Sequence, residues 1–262
     1  MRRGLRLGAV LLIGAIALCC ARKLLHPLYQ QSKAWYLNKL AEAFDNTRLI
    51  ESPSAHAFLP DFAGLGRYQA ANRALPSIVT GRVVFYGDSI TDFWPTAFKS
   101  QFFPGKPYIG RGITGQSTPQ MVWRFQQDVI ELHPAAVVIL AGTNDVLWPQ
   151  RNITYRQTTR NIQAMVEMAQ RHRMRVILCS ILPVSRYPQP QQAIFTRKIK
   201  ELNLWLRKEA ADRHLTYVDY YDAMADREGA LYRSLTVDGV HPNAAGYALM
   251  HSLVQAAIDG SS

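Results

Sequence analysis

Four short polar segments of the chain carry side chains that can do chemistry, and the first is Gly87-Asp88-Ser89. It follows Val83–Tyr86, an apolar run with the composition of a buried β-strand. A serine at the carboxyl end of such a strand lies where open α/β sheets bind their ligands. Ser89 is therefore a candidate nucleophile, provided that another residue of the chain accepts its proton.

A base for Ser89 is available in the segment Asp238-Gly239-Val240-His241, near the carboxyl terminus. The spacing allows Asp238 and His241 to lie on one turn, with the carboxylate holding the imidazole. His241 would accept the serine proton and later deliver it to a leaving alcohol. Asp238 would fix the histidine tautomer and stabilise the imidazolium. Together the three residues predict acyl transfer.

Two further segments predict donors for the oxyanion of such a reaction. Gly110–Gln116 contains three glycines in a short loop before a predicted helix, and Gly142–Asp145 follows another apolar run. We expect the backbone N–H groups of Ser89 and Gly115 and the side-chain amide of Asn144 to form an oxyanion hole. Loss of one such donor typically costs about 3–4 kcal/mol of transition-state stabilisation.

The elements that must position these segments alternate between strand and helix. Continuous apolar runs such as Ala136–Leu140 are typical of strands covered on both faces. The predicted strands are Arg82–Tyr86, Pro107–Ile109, Ala135–Leu140, Arg175–Leu182 and Leu215–Val218, and the predicted helices are Thr118–Leu132, Tyr155–Arg173, Gln191–His214 and Asn243–Ile258. We expect a parallel sheet with right-handed crossovers. A further helix over Asp61–Leu75, with Leu65, Tyr68 and Ala71 on one face, is predicted to pack on this body.

Taken in order, the four segments resemble the signature blocks of the SGNH/GDSL hydrolases. The four block residues are Ser89, Gly115, Asn144 and His241. Asp238 precedes the histidine by three residues, and Ile90 stands where the GDSL pattern has leucine. The serine lacks the G-x-S-x-G elbow of α/β-hydrolases. The chain looks most similar to bacterial lysophospholipase-like esterases. This resemblance implies an α/β fold, a flavodoxin-like three-layer sandwich with a five-stranded parallel sheet, and neither a metal ion nor another cofactor.

The resemblance also implies a serine esterase that works through an acyl-enzyme on a small-molecule ester. An acylated carbohydrate and a lysophospholipid-like lipid are the two expected substrate classes. Phe93, Trp94 and Trp148 follow the catalytic segments and are candidates for an acyl pocket or a sugar platform, with core packing as the alternative. Two other functions stay open, namely an acyltransferase using the same site and a non-catalytic binding protein with the same body.

The charge of the chain argues against one class of partner. The formal charge is +11, and it falls by five to +6 when the cations Arg2, Arg3, Arg6, Arg22 and Lys23 are set aside. The remainder has no dense run of Lys or Arg, so we expect no nucleic acid partner. The sequence sets no oligomeric state.

The amino-terminal residues have the pattern of an export signal. Residues 7–21 form an uncharged apolar run after three arginines, short for a membrane span and typical of a signal peptide. We expect 1–22 to be a signal peptide or signal anchor, 23–60 a helical stalk and linker, and 61–262 the hydrolase domain. The protein would then be exported, periplasmic or extracellular, and membrane-anchored by 7–21 if that segment is retained. Cys179 is the only cysteine of the hydrolase domain, so no disulfide is expected there.

Overall fold

A computed structural model describes residues 61–260 and shows a parallel five-stranded sheet. The strands are β1 (Val83–Gly87), β2 (Tyr108–Gly112), β3 (Ala136–Leu140), β4 (Arg175–Cys179) and β5 (Thr216–Val218). Their order is β2-β1-β3-β4-β5, and every neighbouring pair is parallel. All residues of β1 and β3 are buried, because helices cover both faces of the sheet. The predicted α/β fold with a five-stranded parallel sheet is confirmed.

Eight α-helices connect and flank these strands in the described part of the chain. They are α1 (Gln69–Arg73), α2 (Ser89–Ala97), α3 (Thr118–Asp128), α4 (Thr143–Leu147), α5 (Tyr155–Arg171), α6 (Gln191–Asp212), α7 (Tyr220–Met224) and α8 (Ala244–Asp259). Their starts are set by local side chains. Ser117 and Thr154 form capping boxes with the glutamines three residues later, and the Asn243 side chain accepts from the Gly246 N–H at 3.0 Å.

The three layers can be followed from two neighbouring residues of β1. Phe85 points to the layer of α2, where its ring lies 5.7 Å from that of Trp94 in an edge-to-face arrangement. Tyr86 points to the opposite layer, where its ring lies 5.2 Å from that of Phe125 on α3. Helix α8 shares the layer of α2, since the Tyr247 hydroxyl donates to the Ile90 carbonyl at 2.8 Å. Alternation along β1 thus fixes which helices cover which face.

The predicted helix over Asp61–Leu75 was wrong for most of its length. Only Gln69–Arg73 is helical, and Leu65 and Ala71 of its predicted apolar face are exposed. The Asp61 carboxylate accepts hydrogen bonds from the N–H groups of Leu65 and Gly66, the latter at 2.6 Å. These bonds favour a turn over a helix. The third residue of that face, Tyr68, packs on the body, and its hydroxyl donates to a carbonyl of β2.

Other boundaries differ by a few residues. Strand β2 extends beyond the predicted Ile109 to Gly112, and β4 ends at Cys179 rather than at Leu182. Helix α3 ends at Asp128, and the predicted last turn is a separate 3₁₀ turn over Ile130–Leu132. No helix within residues 61–260 is long and apolar enough to cross a membrane. The predictions for 1–22 and 23–60 lie outside the described residues.

Candidate active site

The four chemical segments meet at the carboxyl ends of the central strands. Ser89 is the first residue of α2 directly after β1, Gly115 lies in the loop after β2, and Asn144 lies in α4 after β3. Strand order reverses between β1 and β3, which is the position where open α/β sheets bind ligands. The loop that carries Asp238 and His241 reaches this edge just before α8.

Ser89, His241 and Asp238 form one line of hydrogen bonds. The Ser89 Oγ lies 2.9 Å from the His241 Nε2, and the His241 Nδ1 lies 2.9 Å from the Asp238 Oδ2. With its proton on Nδ1, the imidazole donates to the carboxylate and leaves Nε2 free to accept the serine proton. Ser89 is 7% exposed and His241 6% exposed, so the pair is largely shielded from bulk water.

Asp238 is held in its ionised form by the loop that contains it. Its Oδ1 accepts the backbone N–H groups of Val240 at 2.9 Å and His241 at 2.8 Å. Burial raises the pKa of Asp238, but the hydrogen bonds and charge of His241 outweigh burial and hold this pKa below its ordinary value. The Arg186 guanidinium, 3.8 Å from Oδ2, adds a cation to the same carboxylate. Asp238 can therefore stabilise the His241 imidazolium without taking its proton.

The three predicted oxyanion donors follow β1, β2 and β3 in turn. Among the described residues, no group accepts a backbone hydrogen bond from Ser89 N–H or Gly115 N–H. The Asn144 amide is fixed from both ends. Its Nδ2 donates to the Gln116 carbonyl at 2.8 Å, and its Oδ1 accepts from the Trp148 Nε1 at 3.1 Å. The second Nδ2 hydrogen has a 3.4 Å contact with Asp88 Oδ2, which is long enough to leave it available to an oxyanion.

Two glycines allow the serine to come this close to the sheet. A Cβ on Gly87 would collide with the Thr91 side chain and the Leu140 carbonyl. A Cβ on Gly112 would collide with the backbone of α2 at Thr91 and Asp92. Helix α2 therefore begins directly against β2 and β3, which explains why glycine ends both β1 and β2.

Asp88, the residue before the serine, is 1% exposed and is the N-cap of α2. Its Oδ1 accepts the Ile90 N–H at 3.0 Å, as a helix cap does. Burial raises the pKa of Asp88 from 3.8 to about 6, against the opposing effect of the Ile90 hydrogen bond. The folded protein therefore binds this proton more tightly than the unfolded chain does. The stability that it contributes is present below about pH 4 and is lost as the pH rises through about 6.

We therefore expect Asp88→Asn to stabilise the protein at neutral pH but not in acid. Asparagine keeps the acceptor for Ile90 N–H and removes the cost of a buried charge. The free energy of unfolding of the variant should match that of the wild type near pH 4 and exceed it by up to about 3 kcal/mol at pH 7. Urea unfolding at both pH values measures the difference. A difference in unfolding free energy that does not change with pH would contradict the prediction. Asp212→Asn, at the exposed end of α6, controls for the removal of a carboxylate charge.

The sequence analysis missed Asp92, one of two acidic residues that hold the site loops together. The Asp92 Oδ2 accepts the backbone N–H of Thr114 at 3.2 Å and its hydroxyl at 2.7 Å, which ties α2 to the Gly115 loop. The Asp145 carboxylate accepts the Thr118 N–H at 3.0 Å and its hydroxyl. It joins the Asn144 segment to the start of α3. Asp92 stands three residues after Ser89, and that proximity was the available signal.

The three candidate pocket residues have different surroundings. Phe93 lies against His241, with 5.1 Å between the two ring centroids. Trp148 is bound to the Asn144 side chain. Trp94 is 2% exposed and packs among Phe85, Phe102, Phe103 and Tyr247, and its Nε1 donates to the Gln101 carbonyl. Trp94 is therefore part of the core, and the prediction that it lines a pocket is corrected. Within residues 61–260 no group of His, Cys, Asp and Glu side chains is placed to hold a metal ion.

Comparison with known proteins connects this geometry to a family. Residues 77–249 match the model of the GDSL-like Lipase/Acylhydrolase family. A GDSL-like lipase from Bacteroides thetaiotaomicron is 38% identical with a TM-score of 0.72, over 77% of this chain and 100% of that one. A candidate acylhydrolase from Bacteroides fragilis is 39% identical with a TM-score of 0.70, over 77% and 98% of the two chains.

An acetylxylan esterase from Geobacillus stearothermophilus is 19% identical with a TM-score of 0.58, over 70% of this chain and 97% of that one. At this identity the likeness shows the fold alone. The comparison with curated proteins gave no match. The matched family region spans all four chemical segments, and the chain covers its two Bacteroides relatives almost completely. The chain belongs to the GDSL-like lipase/acylhydrolase family.

Proposed function

We propose that this chain is a serine ester hydrolase that works through an acyl-enzyme at Ser89. The observation that carries the proposal is the line of two 2.9 Å hydrogen bonds from Ser89 Oγ through the His241 ring to Asp238. A serine hydroxyl is a weak nucleophile at its ordinary pKa, and an adjacent, oriented imidazole is the arrangement that activates it. The chain belongs to a hydrolase family, and the esterases with a similar structure support ester hydrolysis as its reaction.

The proposed acylation follows from these contacts. Ser89 Oγ bonds to the ester carbonyl carbon while its proton passes to His241 Nε2, and the carbonyl π-electrons move to oxygen. Asp238 stabilises the imidazolium through Nδ1–H. The tetrahedral intermediate then collapses, breaking the bond to the alcohol oxygen, which takes the proton from Nε2. In the second half of the reaction, water attacks the acyl carbon while His241 accepts its proton. His241 then returns the proton to Ser89 Oγ as the carboxylic acid leaves.

The oxyanion of both intermediates would lie between the N–H groups of Ser89 and Gly115 and the Asn144 amide. Gly115 has φ +78°, a conformation that glycine adopts without strain. The Asn144 side chain needs no reorientation of its own, because Gln116 and Trp148 already hold it. Preorganised donors of this kind stabilise developing charge without a reorganisation cost.

The basic test is hydrolysis by the purified full chain. We expect turnover of a short-chain aryl ester and covalent labelling of Ser89 by a fluorophosphonate, located by peptide mass mapping. Both follow from an activated serine in a water-shielded site. A folded protein that shows neither hydrolysis nor labelling would reject the esterase proposal and favour the non-catalytic binding protein.

For the substrate, we propose an acylated carbohydrate or a lysophospholipid-like lipid. The first is supported by the fold shared with acetylxylan esterases, and the second by the lipases of the family. A panel of acetylated sugars, aryl esters of increasing chain length and lysolipids would assign the class from kcat/KM. Adding sugar or alcohol acceptors to the same assay would detect acyl transfer in competition with hydrolysis.

We also propose that the protein is exported. The support is the sequence of residues 7–21, an uncharged apolar run after three arginines. Intact mass of the protein recovered from cells distinguishes a cleaved signal peptide from a retained anchor. A full-length protein in the cytoplasmic fraction would contradict export.

A further inference from the structure

One short segment contacts both oxyanion donors that lie outside the serine loop. Trp148 directly follows α4 and donates its Nε1–H to the Asn144 Oδ1. Three residues later, at the end of the 3₁₀ turn Pro149–Arg151, the Arg151 Nη1 donates to the carbonyl of Gly115 at 2.7 Å. The segment 148–151 therefore joins the Asn144 donor to the Gly115 donor. The proposed mechanism assigns Arg151 no role.

The hydrogen bond from Arg151 constrains the backbone of the oxyanion loop. Gly115 has no Cβ, so its φ and ψ are less restricted than those of another residue, and φ is positive here. A guanidinium bound to its carbonyl fixes one of the two peptide planes of Gly115. The Gly115 N–H belongs to the other plane, which is joined to the fixed one at the Gly115 Cα, so the contact limits the directions that this N–H can take.

The charge of Arg151 is the second part of the argument. Burial lowers the pKa of Arg151, and the Asp145 carboxylate opposes that change. An arginine nevertheless stays protonated in a protein, so the fold keeps a partly desolvated cation beside this loop. A neutral donor would be enough to bind one carbonyl. Because the N and O atoms of one residue are about 3 Å apart, the Arg151 Nη1 lies within about 6 Å of the Gly115 N.

A positive charge at that distance acts selectively on the transition state. The ester is neutral before attack, whereas the tetrahedral intermediate has a full negative charge on its oxygen. A cation near a partly buried site stabilises the second state and has little effect on the first. The structure gives such a cation, already oriented by its contact with Gly115.

We propose that Arg151 is a positioning residue of the oxyanion hole, which fixes Gly115 and adds positive charge to the site. This inference rests on the proposed esterase function. It predicts that the guanidinium contributes to kcat rather than to ester binding. It also predicts that the same contribution appears in the affinity of a tetrahedral anion bound at Ser89.

The test compares Arg151→Gln, which retains a donor without charge, with Arg151→Lys, which retains the charge. The readouts are kcat and KM for a short-chain aryl ester and the inhibition constant of phenylboronic acid. In the boronate adduct the Ser89 Oγ bonds to boron, its proton passes to His241, and the tetrahedral boron is negative. Arg171→Gln, at an exposed arginine of α5, is the matched control.

For Arg151→Gln we expect kcat to fall about tenfold with KM within about twofold, and the boronate inhibition constant to rise by a similar factor. Arg151→Lys should keep more activity than the glutamine variant, and Arg171→Gln should behave as wild type. A glutamine variant with wild-type kcat, or a loss of kcat without weaker boronate binding, would overturn the inference. If the glutamine variant unfolds, the lysine variant decides by the same two readouts. A wild-type chain without hydrolysis would instead overturn the esterase proposal.

Discussion

Replacing His241 by alanine should lower kcat for a short-chain aryl ester by about 10⁴-fold or more. The imidazole is the group placed to take the Ser89 proton, with Nε2 2.9 Å from Oγ. Without it the hydroxyl must lose its proton to water, and the leaving alcohol has no acid. Ser89→Ala removes the nucleophile itself and should have an effect of the same size. Initial rates over a range of ester concentrations measure both.

The double variant tests whether the residues act as one unit. If Ser89 and His241 serve a single proton transfer, Ser89→Ala with His241→Ala should cost no more than either change alone. His172→Ala, at an exposed histidine after α5, controls for loss of an imidazole and should keep wild-type activity. Activity of His241→Ala within tenfold of wild type would refute the assigned role. Additive losses would refute the shared step.

The sheet and the site loops could be predicted because their signals are local. Strands β1 and β3 are uninterrupted apolar runs, which few structures other than a doubly covered sheet can bury. Parallel order brings the carboxyl ends of such strands to one edge, so polar segments that follow them must meet there. The pairing of Asp238 with His241 was also predictable, since three residues separate them.

The supports of the site could not be predicted, because they depend on contacts between distant parts of the chain. Arg124 is fully buried, and its guanidinium donates to the Gly87 and Arg111 carbonyls at 2.9 and 2.8 Å. In the sequence it is one arginine of an amphipathic helix, indistinguishable from Arg171, which the structure leaves exposed. Local chemistry also overrode periodicity at Asp61, where one side chain replaced a predicted helix with a turn.

Arg124→Met should therefore be among the most destabilising single substitutions of the protein. The guanidinium lies over the Tyr86 ring at 4.2 Å and forms an ion pair with Asp128 at 3.2 Å, with both side chains fully buried. Methionine would leave the Asp128 carboxylate in the core without its cation and would remove the guanidinium donors to the Gly87 and Arg111 carbonyls. Breaking a buried pair in this way costs about 3–5 kcal/mol, or a fall in Tm of about 10 °C for a domain of this size.

Arg171→Met is the matched control for that measurement. Arg171 and Glu167 are also four residues apart on a helix, but their side chains are 78% and 44% exposed and 3.9 Å apart. Such a surface pair contributes at most about 1 kcal/mol, so the two methionine variants should differ several-fold in their loss of unfolding free energy. Equal losses in urea or thermal unfolding would show that burial of the Arg124 pair contributes nothing.

A second substitution separates the lost charge balance from the lost packing. Asp128→Asn in the Arg124→Met background removes the uncompensated carboxylate and should recover part of the stability. It should not recover activity, because Arg124 also holds the Gln116 side chain, and the Gln116 carbonyl accepts the Asn144 amide. Recovery of both properties together would mean that Arg124 serves the core alone. Recovery of stability without kcat would place this buried arginine in the support of the oxyanion hole.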